Sequence, residues 1–139
     1  MQIIKQNTSY ALRALLHMAG FPEATSFTAE ELADVAGTSP DFMRKIMQSL
    51  RQSNLVVSRR GPGGGFRLGC AVEDITLLDA ATAVQGPFAV SRCIIGLDMC
   101  DRSAACPLRA TWLQVQGLIE GVLRDTTLAD IMAAGDTGS

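Results

Sequence analysis

Three cysteines set the chemical question: Cys93, Cys100 and Cys106 follow one another as C-x6-C-x5-C. Thiolates bind soft metals and iron–sulfur clusters, and they are also the groups that oxidants attack. The spacing is too wide for the paired short turns of a zinc knuckle, and a four-coordinate structural zinc would still want a further ligand. An iron–sulfur cluster, 4Fe–4S or 2Fe–2S, suits thiolates spread along a non-periodic segment. Two plainer readings stay open beside it: small apolar core residues, and thiols that sense oxidants directly. Cys70 stands apart and reads as a packed or free thiol. A redox enzyme is disfavoured, because the chain has no C-x-x-C, no nucleophile–base pair and one histidine, His17.

The surroundings of these thiols follow from composition. No run approaches the roughly eighteen apolar residues of a membrane span, and Met1–Gln2–Ile3–Ile4–Lys5 lacks a signal-peptide core. The expectation is a soluble, cytoplasmic chain with no membrane partner, in a compartment where disulfides are rare. With 139 residues, 47% hydrophobic and 19% charged, it suits one modest domain, or one domain plus an oligomerisation element.

The elements that must position the cysteines are marked by helix caps. Asn7–Thr8–Ser9 offers capping side chains to a first helix, in which Tyr10, Ala14, His17 and Met18 recur at helical spacing up to Gly20. Thr28–Ala29–Glu30–Glu31 is a capping box, with Phe27 and Leu32 at the positions of a hydrophobic staple and Leu32, Val35 and Ala36 as the apolar stripe. Gly37 stops that second helix, and Ser39–Pro40 opens a third, running to about Ser53. Its i, i+4, i+8 residues Phe42, Ile46 and Leu50 should face inward beside Met43 and Met47. Asp41, Arg44, Lys45, Gln48 and Gln52 are left outside. Two short helices about a glycine turn, the second one basic outside, form a helix-turn-helix.

Leu55–Val56–Val57 and Phe66–Arg67–Leu68 read as a hairpin whose tip is Gly61–Pro62–Gly63–Gly64–Gly65. A phosphate-cradling P-loop would need Lys–Ser/Thr after the last glycine, and a dinucleotide fingerprint would need a glycine where Phe66 stands. The tip is therefore read as a wing, with glycine allowing close backbone approach and Arg59, Arg60 and Arg67 supplying charge for a minor groove. On the third helix, Arg44 and Lys45 are the candidates for base edges, with Gln48 one turn on, while Ser39 and the helix start would touch phosphate. Asp41 is placed to stabilise the helix start electrostatically. Net charge is −2, yet residues 1–69 hold eight Lys/Arg against five Asp/Glu, and residues 70–139 hold four against nine. The positive excess lies where phosphates would be met.

Thr76–Leu77–Leu78–Asp79 opens a fourth helix ended by Gly86–Pro87, and residues 88–106 show no periodicity. From Pro107, Leu108, Trp112, Val115, Ile119 and Val122 are spaced 4, 3, 4, 3, a heptad seam suited to a dimer contact. Thr127–Leu128–Ala129–Asp130 caps a last short helix, with Gly135–Ser139 expected to fray. The fold expected is mainly α with a small β-hairpin, a winged helix-turn-helix plus a long dimerisation helix. It divides into a DNA-binding domain over 1–87, a cysteine cluster-binding loop over 88–106, and the dimerisation and C-terminal helices over 107–139. A homodimer would present its reading helices to palindromic double-stranded DNA with half-sites about one helical turn apart.

Asn7–Thr8–Ser9–Tyr10–Ala11–Leu12–Arg13–Ala14–Leu15–Leu16, the wing Arg60–Gly61–Pro62–Gly63–Gly64–Gly65–Phe66, the three-cysteine segment and Thr127–Leu128–Ala129–Asp130 together resemble the Rrf-two family of winged-helix regulators. The resemblance implies a homodimer that changes its DNA affinity through an iron–sulfur cluster, sensing iron, redox state or nitric oxide. It also implies a fourth ligand, and here the chain departs from the family pattern. A histidine expected three residues after the last cysteine is Arg109, and an acidic ligand expected from the partner subunit just before Tyr10 is Ser9. Ser9 and His17 are candidates for that position, and Asn7, a water or an exogenous small molecule could also fill it. Some relatives carry an acidic residue where Arg44 stands, so their target sequences do not transfer. The competing readings are a cluster-free regulator responding through thiol oxidation or a protein partner, and an interaction module that does not bind DNA.

Overall fold

The computed structural model describes residues 4–22, 25–62, 64–86 and 107–138, with backbone alone at 107–109, 112 and 135–138. The described elements run α1 (Gln6–Ala19), α2 (Ala29–Ala36), α3 (Pro40–Gln52), β1 (Val56–Arg59), β2 (Gly65–Leu68), a 3-10 turn Val72–Asp74, α4 (Leu77–Gln85), α5 (Pro107–Asp125) and α6 (Leu128–Gly138). β1 and β2 pair antiparallel, Val56 opposite Leu68 and Arg59 opposite Gly65. It is a mainly helical winged-helix fold with one two-stranded hairpin among the described residues.

Local chemistry sets three of the helix starts. Thr28 with Glu31, Thr76 with Asp79 and Thr127 with Asp130 each exchange hydrogen bonds between the cap hydroxyl and the third-residue backbone N–H, and between the carboxylate and the cap N–H. Each cap contributes about 1 kcal/mol by satisfying donors the helix leaves orphaned. Ser39 does the same for α3, accepting from Phe42 N–H at 3.2 Å.

Burial of one contiguous core then joins the elements. Leu15, Met18, Phe27, Leu32, Met43, Ile46, Met47, Leu50, Val56, Ile75 and Leu128 all belong to it. Leu128 comes from α6, so this helix folds back onto α1 and the 3-10 turn. Two backbone bonds fasten this return: Leu77 N–H to Thr126 O and Leu128 N–H to Ile75 O, both at 2.9 Å.

Four expectations change. Phe42 is 37% exposed and Val35 is 42% exposed. An i, i+4, i+8 line drifts by about 40° per step around a 3.6-residue helix, so the buried stripe of α3 is centred on Met43, Ile46, Met47 and Leu50. In α2 the buried stripe is Leu32, Ala33 and Ala36, with Val35 to one side of it. Phe42 instead meets the Tyr10 ring edge-on at 6.0 Å. Helix α1 starts at Gln6 with Lys5 at its cap, where the Lys5 side chain makes no cap bond, while Asn7 Oδ1 accepts from Thr8 N–H at 2.9 Å. A residue distant in sequence supplies the missing acceptor, Gln85 Oε1, at 3.0 Å from Lys5 N. Finally, α6 continues through Gly135 to Gly138 rather than ending before the glycines.

Candidate nucleic-acid interface and the cysteine segment

The turn between α2 and α3 is held by backbone chemistry that glycine permits. Gly37 sits at φ +84°, in the left-handed region, and its N–H reaches Ala33 O at 2.8 Å. Arg13 reaches across from α1 and donates to Ala36 O at 2.8 Å, capping the same C-terminal end of α2. The four buried residues of α3 lock its rotation, so Asp41, Arg44, Lys45 and Gln48 stand together on its exposed face. Ser39 Oγ accepts from Phe42 N–H, which leaves the hydroxyl proton as the donor a phosphate would need.

Arg44 has acidic company. Its guanidinium pairs with Glu30 of α2 through Nη2, and with Asp41 of its own helix through Nη1 at 2.8 Å. Glu30 was not among the residues singled out from sequence, since its reach to Arg44 depends on the angle at which the two helices cross.

The wing is pinned at its root. Phe27 and Phe66 exchange two backbone bonds, N–H to O at 2.8 Å and 2.7 Å, tying the hairpin to the segment before α2. Gly65, at φ +140°, lies against this bridge: a Cβ there would stand 2.5 Å from Phe27 O. This is the close backbone approach expected of the glycines. Because Val57 pairs with Arg67 and Arg59 with Gly65, alternation puts Arg59 and Arg67 on one face of the hairpin. Phe66, Leu68 and Val56 pack on the core from the other face. Arg60 follows directly, exposed at the tip.

Cys93, Cys100 and Cys106 lie outside the described residues. Their segment leaves α4 at Gln85, and that end is tied to α1, where Thr8 Oγ1 and Lys5 N–H both donate to Gln85 Oε1, at 2.7 Å and 3.0 Å. Thr8 is fully buried. Ser9, half-buried, is the next residue on α1. His17 stands two turns on, stacked edge-on against Phe21 at 5.1 Å and Phe27 at 5.4 Å. Cys70 is distant in role: its thiol donates to Asn54 O at 3.3 Å at the root of the wing, and it packs against the core. Among the described residues no group of three His, Cys, Asp or Glu is placed to hold a metal ion. No described helix is long and apolar enough to cross a membrane.

Among the described side chains of α5, Leu123 is the buried one. Val115 and Ile119 are half-buried and Val122 is 64% exposed, with Leu118, 66% exposed, on the same flank. The side chains of Leu108 and Trp112 are outside the description. Leu118 completes an i, i+3, i+4 pattern with Val115, Ile119 and Val122 that the heptad reading passed over.

The family model Rrf2, described as an iron-dependent transcriptional regulator, matches residues 4–134. The chain belongs to the Rrf2 family. It is 32% identical to an rrf2-like HTH-type transcriptional regulator of Rhodobacter capsulatus, covering 96% of this chain and 95% of that one. It is 29% identical to the HTH-type transcriptional regulator IscR of Vibrio atlanticus, over 88% of this chain and 70% of that protein. Among solved structures it resembles CymR, the global cysteine regulator of B. subtilis, at a TM-score of 0.75 and 25% identity, covering 96% and 98% of the two chains. Like its Rrf2 relatives, then, this chain is a transcription regulator and not an enzyme.

Proposed function

We propose that the protein binds palindromic operator DNA as a homodimer and adjusts that binding through an iron–sulfur cluster held by Cys93, Cys100 and Cys106. The DNA half is supported by cationic residues on two elements, the exposed face of α3 and one face of the hairpin. Lys45 and Gln48 on α3 would read base edges together with Arg44, Ser39 would hold a phosphate, and Arg59, Arg60 and Arg67 would line the minor groove. The dimer reading is supported by the apolar flank of α5, where Leu118 and Val122 stand exposed beside Val115 and Ile119. Such a flank is costly to leave in water, and a second copy of the same helix would cover it.

The cluster reading is supported by the donor set. Three thiols in one segment suit iron better than any other group of side chains on the chain, and the matching family model is described as iron-dependent. When bound, the group supplies an iron centre open to oxidation and to exogenous ligands. Ser9 is the favoured protein donor for a fourth position, because the Thr8–Gln85 bond holds its turn of α1 against the end of α4 where the cysteine segment begins. His17 is the second candidate, and its ring would have to leave Phe21 and Phe27. Gln85 also carries the signal: any displacement of the segment pulls on Thr8 and Lys5, hence on α1, whose Arg13 caps the helix-turn-helix.

A second reading rests on the likeness to CymR, a cysteine regulator: a cluster-free regulator whose thiols or protein partner carry the signal. Anaerobic isolation followed by iron and sulfide analysis separates the two. Brown protein whose iron is lost in Cys93→Ser, Cys100→Ser and Cys106→Ser supports the cluster. Colourless protein that takes up no iron on reconstitution overturns it in favour of the second reading.

A further inference from the structure

The contact between Arg44 and two carboxylates bears on how operators are distinguished. Arginine reads guanine when its planar fork meets the base edge in register, and a free arginine side chain must give up much rotamer freedom to do so. Arg44 is not free. Glu30, in the first turn of α2, and Asp41, in the first turn of α3, hold its guanidinium from two different elements, one through Nη2 and one through Nη1. Both carboxylates sit where helix dipoles favour negative charge. Two donors are engaged, leaving the rest of its five N–H groups for a base.

The same two carboxylates carry an opposite effect. They lie at the mouth of the DNA-reading surface, where negative charge repels phosphate and weakens sequence-independent binding. For stability alone the pairs are worth little, since Arg44 and Glu30 side chains are 47% and 58% exposed. Their consequence is felt when DNA approaches.

We propose that Glu30 and Asp41 are positioning residues for Arg44, fixing its guanidinium to read one guanine per half-site while lowering affinity for any other sequence. The proposal rests on the reading of this surface as the operator-reading one. It makes operator choice depend on a residue of α2 that itself reads no base.

The test compares full-length wild type with Glu30→Gln, Arg44→Ala, the double variant, and Asp34→Asn as a charge control on the exposed side of α2. Duplexes are those selected by wild type from a random-sequence library, with a scrambled duplex as reference. Glu30→Gln is expected to lower the operator-to-scrambled affinity ratio about tenfold while affinity for the scrambled duplex holds or rises. In the Arg44→Ala background it should leave the ratio unchanged, and Asp34→Asn should leave it unchanged in wild type. A ratio insensitive to Glu30→Gln overturns the proposal, as does an equal fall with and without Arg44, or an equal fall in Asp34→Asn. A ratio that rises in Glu30→Gln also overturns it, because the contact would then be an inhibitory one. If wild type enriches no sequence at all, the operator-reading surface itself is wrong and the proposal falls with it.

Discussion

Thr8 Oγ1 donates to Gln85 Oε1 at 2.7 Å across 77 positions of sequence, and the same oxygen accepts from Lys5 N–H at 3.0 Å. One side-chain amide thus caps the start of α1 and anchors the end of α4, at the point where the cysteine segment departs. No local rule would find it, since glutamine ending one helix and threonine starting another are ordinary residues in both places.

Removing this anchor tests the route from the cysteines to the DNA surface. Gln85→Ala deprives the buried Thr8 hydroxyl of this acceptor, and a cost of about 1–3 kcal/mol is expected in urea unfolding. The functional effect should be larger than the stability effect: operator affinities with and without cluster should converge. An unchanged difference between the two forms would show that the signal takes another path.

The wing glycines should differ sharply from one another. Gly65→Ala places a methyl 2.5 Å from Phe27 O at φ +140°, breaking the Phe27–Phe66 bridge, and is expected to cost about 3 kcal/mol. Gly61→Ala, at φ +97° with nothing within 4 Å, meets only backbone strain and should cost about 1 kcal/mol. Thermal unfolding of the two variants gives the order directly.

The exposed flank of α5 yields a prediction about assembly. Leu118→Glu with Val122→Glu puts two charges on side chains that the protomer leaves in water, 66% and 64% exposed. Sedimentation should show the dimer replaced by monomer with the winged-helix core intact by circular dichroism. A dimer that survives both charges would place the interface elsewhere.

Much of this architecture is legible in the chain because its caps are strong and local. Thr28 with Glu31, Ser39 before Pro40, and Thr127 with Asp130 are each complete within four residues, and the structure uses all three. What escaped the sequence reading is tertiary. Phe42 and Val35 are apolar and nearly in phase, but a few tens of degrees on a helix decide exposure, and Met43 and Ala33 take the inward places. Arg44 is visibly cationic, whereas its pairing with Glu30 appears only once α2 and α3 are set at their angle. Cys93, Cys100 and Cys106 lie outside the described residues, and the two positions where the family pattern would put a fourth ligand hold Ser9 and Arg109.

The wing arginines and the reading helix should be separable by salt. Arg59→Ala and Arg67→Ala, on one face of the hairpin, are each expected to weaken binding to all duplexes and to reduce the salt slope by about 1. Arg44→Ala should instead relax preference at one base of each half-site. Equal loss of sequence preference in all three variants would contradict this division of labour.

The most direct measurement of the central claim is operator affinity of one anaerobic preparation, taken with its iron and after chelation, beside the Cys93→Ser variant. The account predicts that wild type changes affinity at least tenfold on losing iron, and that Cys93→Ser matches iron-free wild type in both conditions. Equal affinity of iron-loaded and iron-free wild type, at matched salt, would contradict it.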